Sequence, residues 1–227
     1  MGAKPIGLYS RLLGDVQPDF PAGFVLAGFS FYDGKDREYA GQSELQSFLD
    51  CGPPPLIFTL GTSAIHDSAS FVRVALEAVS QLCERAVLIL DEAQRQALQA
   101  YTSDRVFISG YVQYSKFLHR AKVIVHHGGI GTIAQALKAG RPQLITPYFV
   151  DQPDNAARVQ RLGVARVIPL KQWAVTTVVR ELRALMADSA LIARAEVIGR
   201  QISMENGAAE LAAIAMQMLS SGNAGAS

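Results

Sequence analysis

The sequence predicts an α/β fold, a doubly wound parallel sheet with helices on both faces. Short apolar runs recur along the chain without the polar alternation of a half-exposed strand, which is typical of strands buried on both faces. Amphipathic stretches lie between these runs. The resulting strand–helix–strand order favours right-handed crossovers, and these distribute helices over both faces of a parallel sheet.

The strands are predicted where Val, Ile, Leu and Phe cluster. There are seven such runs: Phe24–Phe29, Leu56–Leu60, Ala86–Leu90, Val106–Ser109, Lys122–His126, Gln143–Pro147 and Ala165–Pro169. Helices are predicted where apolar residues lie three and four positions apart, as Val72, Leu76 and Val79 do. The predicted helices are Ser68–Ala86, Ile130–Ala139, Asp154–Leu162, residues 176–202 and Gly207–Ser220.

The chain divides into three predicted parts. Residues 1–54 are interpreted as an interdomain, surface-crossing linker, because they contain turn-rich stretches and end in the rigid run CGPPP. Residues 55–220 form the predicted domain. Residues 221–227 are expected to be a disordered tail.

Composition excludes several classes of protein. The chain has 227 residues, 49% of them hydrophobic, so it can bury a sizeable core. A net charge of +1 gives no reason to expect nucleic acid as a partner. No apolar run is long enough for a membrane span, and the N-terminus lacks the apolar core of a signal peptide. Cys51 and Cys83 cannot form a disulfide framework, so we expect free thiols and a cytoplasmic protein.

The most informative segment is KVIVHHGGIGTIAQALKAGRP, residues 122–142. A buried strand ends at two histidines, and glycines at 128, 129 and 131 then allow a sharp turn and close approach of a ligand. The helix that follows presents unpaired N–H groups and a positive dipole end, and Thr132 adds a hydroxyl. A histidine here can donate to a phosphate oxygen. The segment therefore predicts a phosphate site.

Two other interpretations of this segment remain open. The glycines can serve only the packing of a tight turn between strand and helix. Alternatively, Gly129-x-Gly131-x-x-Ala134, with Asp151 twenty residues beyond Gly131, fits the fingerprint of an NAD-type dinucleotide-binding domain. Against the fingerprint, the segment follows a strand in the middle of the chain order and not the first one.

Polar residues also follow other predicted strands. Asp151 and Gln152 can accept from and donate to neighbouring hydroxyls, which suits a sugar ring. Helix capping by Asp151 or Asp154 is the alternative. Tyr111 follows another strand, where its ring can stack on a base or simply pack against the protein. Small and hydroxylic residues follow the strand Leu56–Leu60: Gly61, Thr62 and Ser63.

Together, the stretches TLGTS, GYVQ, HHGGIGTIAQALKAGRP and YFVDQPDNAARV resemble the donor-binding, C-terminal half of family 1 UDP-glycosyltransferases of the GT-B fold. The similarity is to sterol, rhamnosyl and antibiotic glycosyltransferases, and it extends over residues 5–220. It implies a Rossmann-like domain with closing C-terminal helices. The register H-x-G-x-x-(S/T)-x-x-E, G-x-P, D-Q-x-x-N aligns through His127, Gly129, Thr132, Gln135, Gly140, Pro142, Asp151, Gln152 and Asn155.

The resemblance implies a role for each matched position. The pyrophosphate of the donor would be held by His127, Gly128, Gly129, Gly131 and Thr132, and approached by Gly61, Thr62 and Ser63. The base would contact Tyr111 and Val112, the ribose Gln135, and the sugar Asp151 and Gln152, with Asn155 completing the donor motif. Family members carry Glu where this chain has Gln135, which can bond the ribose but has no charge. His66 and His119 match no motif.

The implied reaction is metal-independent transfer of a hexosyl group from a UDP- or dTDP-sugar to a hydroxyl of a lipid or natural product. His127, Thr132 and the helix N-terminus would stabilise the leaving diphosphate. Because there is no Asp-x-Asp pair and no Cys/His ligand spacing, no metal or cofactor is predicted. The general base belongs to the family's N-terminal, acceptor-binding domain, so the chain alone is expected to lack a catalytic residue and turnover.

Three contexts for such a half are open. The chain can be an excised domain, a subunit that needs an acceptor-binding partner, or a stand-alone module that binds donor without turnover. The NAD-type domain remains a remote further alternative.

Overall fold

The computed structural model describes residues 4–32, 41–60 and 68–223. Among them, six parallel strands form the large sheet, which confirms the predicted α/β class. A separate two-stranded parallel sheet is formed by β1 (Ile6–Gly7) and β2 (Val25–Leu26). The strands of the large sheet are β3 (Leu56–Thr59), β4 (Ala86–Ile89), β5 (Val106–Ser109), β6 (Val123–His126), β7 (Gln143–Ile145) and β8 (Ala165–Val167).

The strand order of the large sheet is β5-β4-β3-β6-β7-β8. The chain therefore builds outward in one direction from β3, then returns to the middle and builds outward in the other direction from β6. This is the doubly wound order, and its reversal lies between the paired strands β3 and β6. Ligands of such sheets bind in the crevice beyond the carboxyl ends of these two strands.

The helices connect and cover these strands. Their bounds are α1 (Gln42–Asp50), α2 (Ser68–Leu82), α3 (Glu92–Leu98), α4 (Tyr114–Phe117), α5 (Ile130–Lys138), α6 (Gln152–Arg161), α7 (Val175–Ala187), α8 (Ser189–Ser203) and α9 (Gly207–Asn223). Helices α1, α3 and α4 were not among those predicted. The predicted helix over 176–202 is two helices, because the chain breaks at Asp188, whose side chain accepts the N–H of Leu191 and starts α8.

Both faces of the sheet are buried under helices. On one face, α2 and α7 pack on the strands through Phe71 and Leu182. On the other face, α5, α6 and α8 pack together through residues such as Ile133, Val159 and Ile198. This explains the continuous apolar runs, since every residue of β3, β4 and β6 is buried.

The N-terminal segment differs from the sequence predictions in two respects. It does not merely cross the surface, because Leu13 and Phe29 are buried in the cluster formed with α5, α6 and α8. The hydroxyl of Ser10 donates to Glu205 at 2.5 Å, and the other carboxylate oxygen of Glu205 accepts the N–H of Phe29 at 3.0 Å. The strand predicted over Phe24–Phe29 is limited to β2 and lies outside the large sheet, since Gly28 has a φ of +85° and turns the chain toward Glu205.

At the C-terminal end, α9 continues to Asn223, three residues beyond the predicted helix and into the segment assigned to the tail. Across the three described ranges, none of the helices combines the length and apolar character that a membrane crossing requires.

Candidate functional site

The glycine-rich turn lies at the point where the strand order reverses. Strand β6 ends at His126, which pairs with Thr59 at the end of β3, and the turn 127–129 leads into α5. The sequence prediction of a ligand-binding turn therefore falls at the crevice that the topology favours. The predicted phosphate-loop residues Gly61, Thr62 and Ser63 follow β3 in the chain but lie outside the described residues.

The first histidine of the turn is structural. The side chain of His126 is fully buried, its Nδ1 accepts the N–H of Gly128 at 3.1 Å, and its Nε2 lies 2.9 Å from Oε1 of Gln143. Since Nδ1 is an acceptor, the proton is on Nε2 and is donated to Gln143. Burial lowers the pKa of His126 to about 4, so the ring is neutral near pH 7.

The second histidine faces the start of α5. His127 is 4% exposed, and its Nε2 lies 2.6 Å from the position that a Cβ on Gly129 would occupy. Its Nδ1 is buried and has no hydrogen-bond partner among the described residues. A proton on Nδ1 would be a buried donor without an acceptor, so the neutral ring carries its proton on Nε2, next to the helix N-terminus. Burial lowers the pKa of His127, and the nearby carboxylate of Asp151 opposes the shift.

The three glycines serve three different needs. Gly128 has a φ of +90°, and a Cβ there would approach Ile145 and the carbonyl of Gln152 to 3.1 and 3.2 Å. Gly129 makes room for the ring of His127. Gly131, in the first turn of α5, would place a Cβ in open space, with no atom within 4 Å. Packing therefore explains two of the glycines but not Gly131.

Within the part of the chain that the structure describes, no side chain caps the N-terminus of α5. Gly129 occupies the N-cap position, whereas α3 and α8 start at aspartates that accept a backbone N–H. The first N–H groups of α5 therefore remain for another acceptor. The predicted phosphate ligand Thr132 lies in this turn and is 8% exposed.

Tyr114 is a residue of this region that the sequence analysis did not identify. Its hydroxyl lies 2.8 Å from Oγ1 of Thr59. Burial raises the pKa of Tyr114, and hydrogen bonds with the side chains of Thr59 and Thr132 oppose that shift. The tyrosine thus joins the end of β3 to the first turn of α5. A tyrosine in a four-residue helix carries no pattern that predicts this contact.

The residues predicted for the base and ribose differ in exposure. Tyr111 follows β5 and is 65% exposed. The side chain of Val112 is buried, which leaves only its backbone for a ligand. Gln135 lies one turn into α5 and is 9% exposed.

The aspartate predicted for the sugar does not cap a helix. Asp151 occupies the N-cap position of α6, yet its side chain accepts no helix N–H. Its Oδ2 instead accepts from Nδ2 of Asn155 at 2.7 Å, and the same nitrogen donates to the carbonyl of Gly128 at 3.2 Å. The capping alternative for Asp151 is therefore wrong, and the exposed carboxylate is connected to the glycine-rich turn.

Gln152 is buried and holds the turn before Asp151. Its Oε1 accepts the N–H of Tyr148 at 2.8 Å and that of Phe149 at 3.3 Å. The amide oxygen is therefore engaged by the protein, and the amide nitrogen is the end left for a ligand. In the same turn, Val150 has a φ of +57°, which is rare for a β-branched residue, and its side chain is 84% exposed.

Taken together, this edge of the sheet offers hydrogen-bond donors at α5, a neutral histidine and an exposed carboxylate beside them. Donors of this kind suit an anionic group such as phosphate, and the carboxylate suits hydroxyls. Over the described ranges, no group of three or more His, Cys, Asp or Glu side chains is arranged to hold a metal ion.

The fold belongs to a known class of domain, the C-terminal domain of GT-B glycosyltransferases. Residues 73–218, more than half of the chain, match the family described as "Erythromycin biosynthesis protein CIII-like, C-terminal domain", and the chain belongs to this family. The predicted resemblance to antibiotic-type glycosyltransferases is thereby confirmed.

Relatives of the chain include two glycosyltransferases whose names give an acceptor. The chain is 31% identical over 194 residues to the O-mycaminosyltylonolide 6-deoxyallosyltransferase of Streptomyces fradiae, covering 83% of this chain and 43% of that protein. It is 37% identical over 121 residues to the vancomycin aglycone glucosyltransferase of Amycolatopsis orientalis, covering 53% and 29%. The chain thus spans less than half the length of these relatives.

Solved structures agree on the fold. The calicheamicin glycosyltransferase CalG4 superposes with a TM-score of 0.74 at 20% identity, covering 97% of this chain and 54% of that one. The spinosyn forosaminyltransferase SpnP gives 0.74 at 20% identity, covering 95% and 54%. In both comparisons the chain corresponds to about half of a larger enzyme.

Proposed function

We propose that this chain binds a nucleotide-sugar, a UDP- or dTDP-hexose, and serves as the donor half of a glycosyltransferase. The observation that carries the proposal is the position of His127, whose Nε2 lies against Gly129 at the uncapped start of α5. The N–H at Nε2 of His127 and the backbone N–H groups at the start of α5 can donate hydrogen bonds to the oxygens of a diphosphate.

The nucleoside diphosphate is favoured by two further observations. Gly131 leaves open space beside the helix start, where a phosphate oxygen can approach the backbone. Among structural neighbours, the rhamnosyltransferase SpnG and the glycosyltransferase VinC have been solved with thymidine diphosphate and with dTDP. We extend that ligand class to this chain, with the exposed ring of Tyr111 against the base and Gln135 near the ribose.

In the proposed reaction, the bond between the sugar and the diphosphate breaks while negative charge builds on the leaving group. The N–H groups at the start of α5 and the proton on His127 stabilise that charge, with Thr132 as a further donor. Asp151 holds sugar hydroxyls through its carboxylate, and Gln152 through its amide nitrogen. Transfer to a hydroxyl of a lipid or natural product, such as an antibiotic aglycone, requires a base and an acceptor pocket that an N-terminal domain or partner subunit would supply.

The experiment is calorimetry on the chain with UDP, dTDP, UDP-glucose, uridine and NADH. We expect binding of a nucleoside diphosphate, and we expect His127→Ala to weaken it far more than it weakens uridine. His119→Ala, at an exposed histidine, is the matched control. Binding of NADH without any nucleoside diphosphate would refute the proposal in favour of a dinucleotide-binding domain.

A donor-binding module without turnover is the second candidate, because the donors at the start of α5 and the carboxylate of Asp151 serve binding whether or not transfer follows. Release of the sugar from UDP-glucose, measured with and without an acceptor-binding domain of the family, separates the two candidates. Transfer only in the presence of that domain supports the transferase half, and binding without transfer in both cases supports the module.

A further inference from the structure

Asn155 is the point where the glycine-rich turn and the exposed carboxylate meet. It lies in the first turn of α6 and is 8% exposed. Its Nδ2 donates to the backbone carbonyl of Gly128 at 3.2 Å and to Oδ2 of Asp151 at 2.7 Å. The two partners belong to segments that are more than twenty residues apart in the sequence.

The chemistry of the two partners fixes the orientation of this amide. A backbone carbonyl and a carboxylate are both acceptors, so the group between them must be the amide nitrogen and not the amide oxygen. An amide nitrogen has two hydrogens, and both are used by these bonds. A bound ligand could therefore receive a hydrogen bond from Nδ2 only if one of the two existing bonds were broken.

The orientation of Asp151 depends on this contact. The carboxylate does not cap α6, and Nδ2 of Asn155 is its hydrogen-bond partner among the described residues. Without Asn155, the exposed carboxylate would be free to rotate, and the carbonyl of Gly128 would lose its side-chain donor.

We propose that Asn155 is a positioning residue that fixes Asp151 relative to the glycine-rich turn, a role that rests on the proposed donor site. Because one side chain links both segments, it sets the separation between the group that holds sugar hydroxyls and the backbone that holds the diphosphate. Asn155 acts through Asp151 and Gly128 and does not itself contact the donor.

The test compares UDP-glucose with UDP by calorimetry on the full 227-residue chain. The variants are Asn155→Ala, Asp151→Ala and the double variant, with Asp154→Ala as a control in the same helical turn, where the side chain pairs with Arg158. We expect Asn155→Ala to weaken UDP-glucose about tenfold, the effect of losing a hydrogen bond to a charged group, and to weaken UDP much less.

The double variant separates positioning from a direct contact. We expect it to bind UDP-glucose no more weakly than Asp151→Ala does, because Asn155 has nothing left to orient. Losses that multiply in the double variant would overturn the proposal, as would an equal loss of UDP and UDP-glucose in Asn155→Ala. The same loss in Asp154→Ala would overturn it too.

A measurement without ligand distinguishes failure of this proposal from failure of the proposed function. If the unsubstituted chain binds neither ligand, the proposed function fails, but amide hydrogen exchange still tests the link. We expect Asn155→Ala to accelerate exchange in two separate segments, residues 127–133 and 147–152, and Asp154→Ala to accelerate it in neither. Unchanged exchange in both segments in Asn155→Ala would show that Asn155 does not connect them.

Discussion

The imidazole of His126 accepts the backbone N–H of Gly128 at 3.1 Å, so a buried ring fixes the first glycine of the turn. The bond requires Nδ1 to be unprotonated, and the hydrogen bond from Nε2 to Gln143 keeps the single proton on the other side of the ring. A side chain that no ligand can reach therefore determines the backbone conformation of the candidate site.

This relationship predicts a pH-dependent stability. The pKa of His126 is about 4 in the folded chain against an ordinary value of 6.5, so between these values the unfolded state binds more protons. The free energy of unfolding should therefore fall as the pH is lowered through this window, at most by about 1.4 kcal/mol per pH unit. In His126→Asn, whose oxygen can still accept from Gly128, the free energy of unfolding should depend less steeply on pH. Urea denaturation at a series of pH values measures this dependence. An unchanged slope, equal to that of the control His119→Asn, would count against the assignment.

Gly131 predicts a variant that is more stable but binds less well. A Cβ at this position meets no protein atom, and alanine is a better helix former, so Gly131→Ala should raise the free energy of unfolding by about 0.5–1 kcal/mol. The added methyl group occupies the proposed phosphate position, so the affinity for UDP should fall. Thermal denaturation and calorimetry measure the two effects separately. A more stable variant with undiminished affinity would move the diphosphate away from α5.

His127 predicts how donor binding depends on pH. Burial lowers its pKa in the free chain, whereas a bound diphosphate favours the charged ring and raises it. The complex then binds more protons than the free chain, so the affinity for UDP-glucose should increase as the pH falls from 8 to 6, by at most about tenfold per pH unit. UDP-glucose suits the measurement because it has no phosphate that titrates near neutral pH. The dependence should disappear in His127→Asn and persist in His119→Asn.

The backbone at Val150, in the turn before Asp151, is strained, and a substitution that relieves this strain should stabilise the chain. Val150 has a φ of +57°, and its side chain is mostly exposed, so removing it costs little packing. Val150→Gly should raise the free energy of unfolding by about 1 kcal/mol, since a β-branched residue in this region is strained by roughly that amount or more. Val150→Ala, which keeps a Cβ, should gain less. A lower melting temperature in the glycine variant would show that the turn is not strained.

Much of the fold could be predicted from local patterns. The runs that became β3, β4 and β6 are mostly apolar because both faces of the sheet are covered, and predicting them needs no knowledge of distant contacts. The glycine-rich turn could be located for a similar reason, since glycine, histidine and a following helix are adjacent in the sequence.

Other features depend on contacts that leave no local pattern. Residues 4–32 look like a linker in composition, and only the folded structure pairs Ser10 and Phe29 with Glu205. The motif around Asp151 predicted a sugar site, but it could not reveal that the amide oxygen of Gln152 is engaged by the turn or that Asn155 reaches Gly128. Such bonds depend on how α6 approaches β6, which the spacing of residues does not specify.

The burial of Leu13 and Phe29 has a practical consequence for anyone who trims the chain. Starting expression at residue 55 would keep the whole large sheet, yet it would expose to water the apolar surface of Ile133 and Leu137 on α5. Both residues belong to the helix whose first turn carries Gly131. A shortened protein that fails to bind would therefore not show whether the residues of the crevice contact the donor.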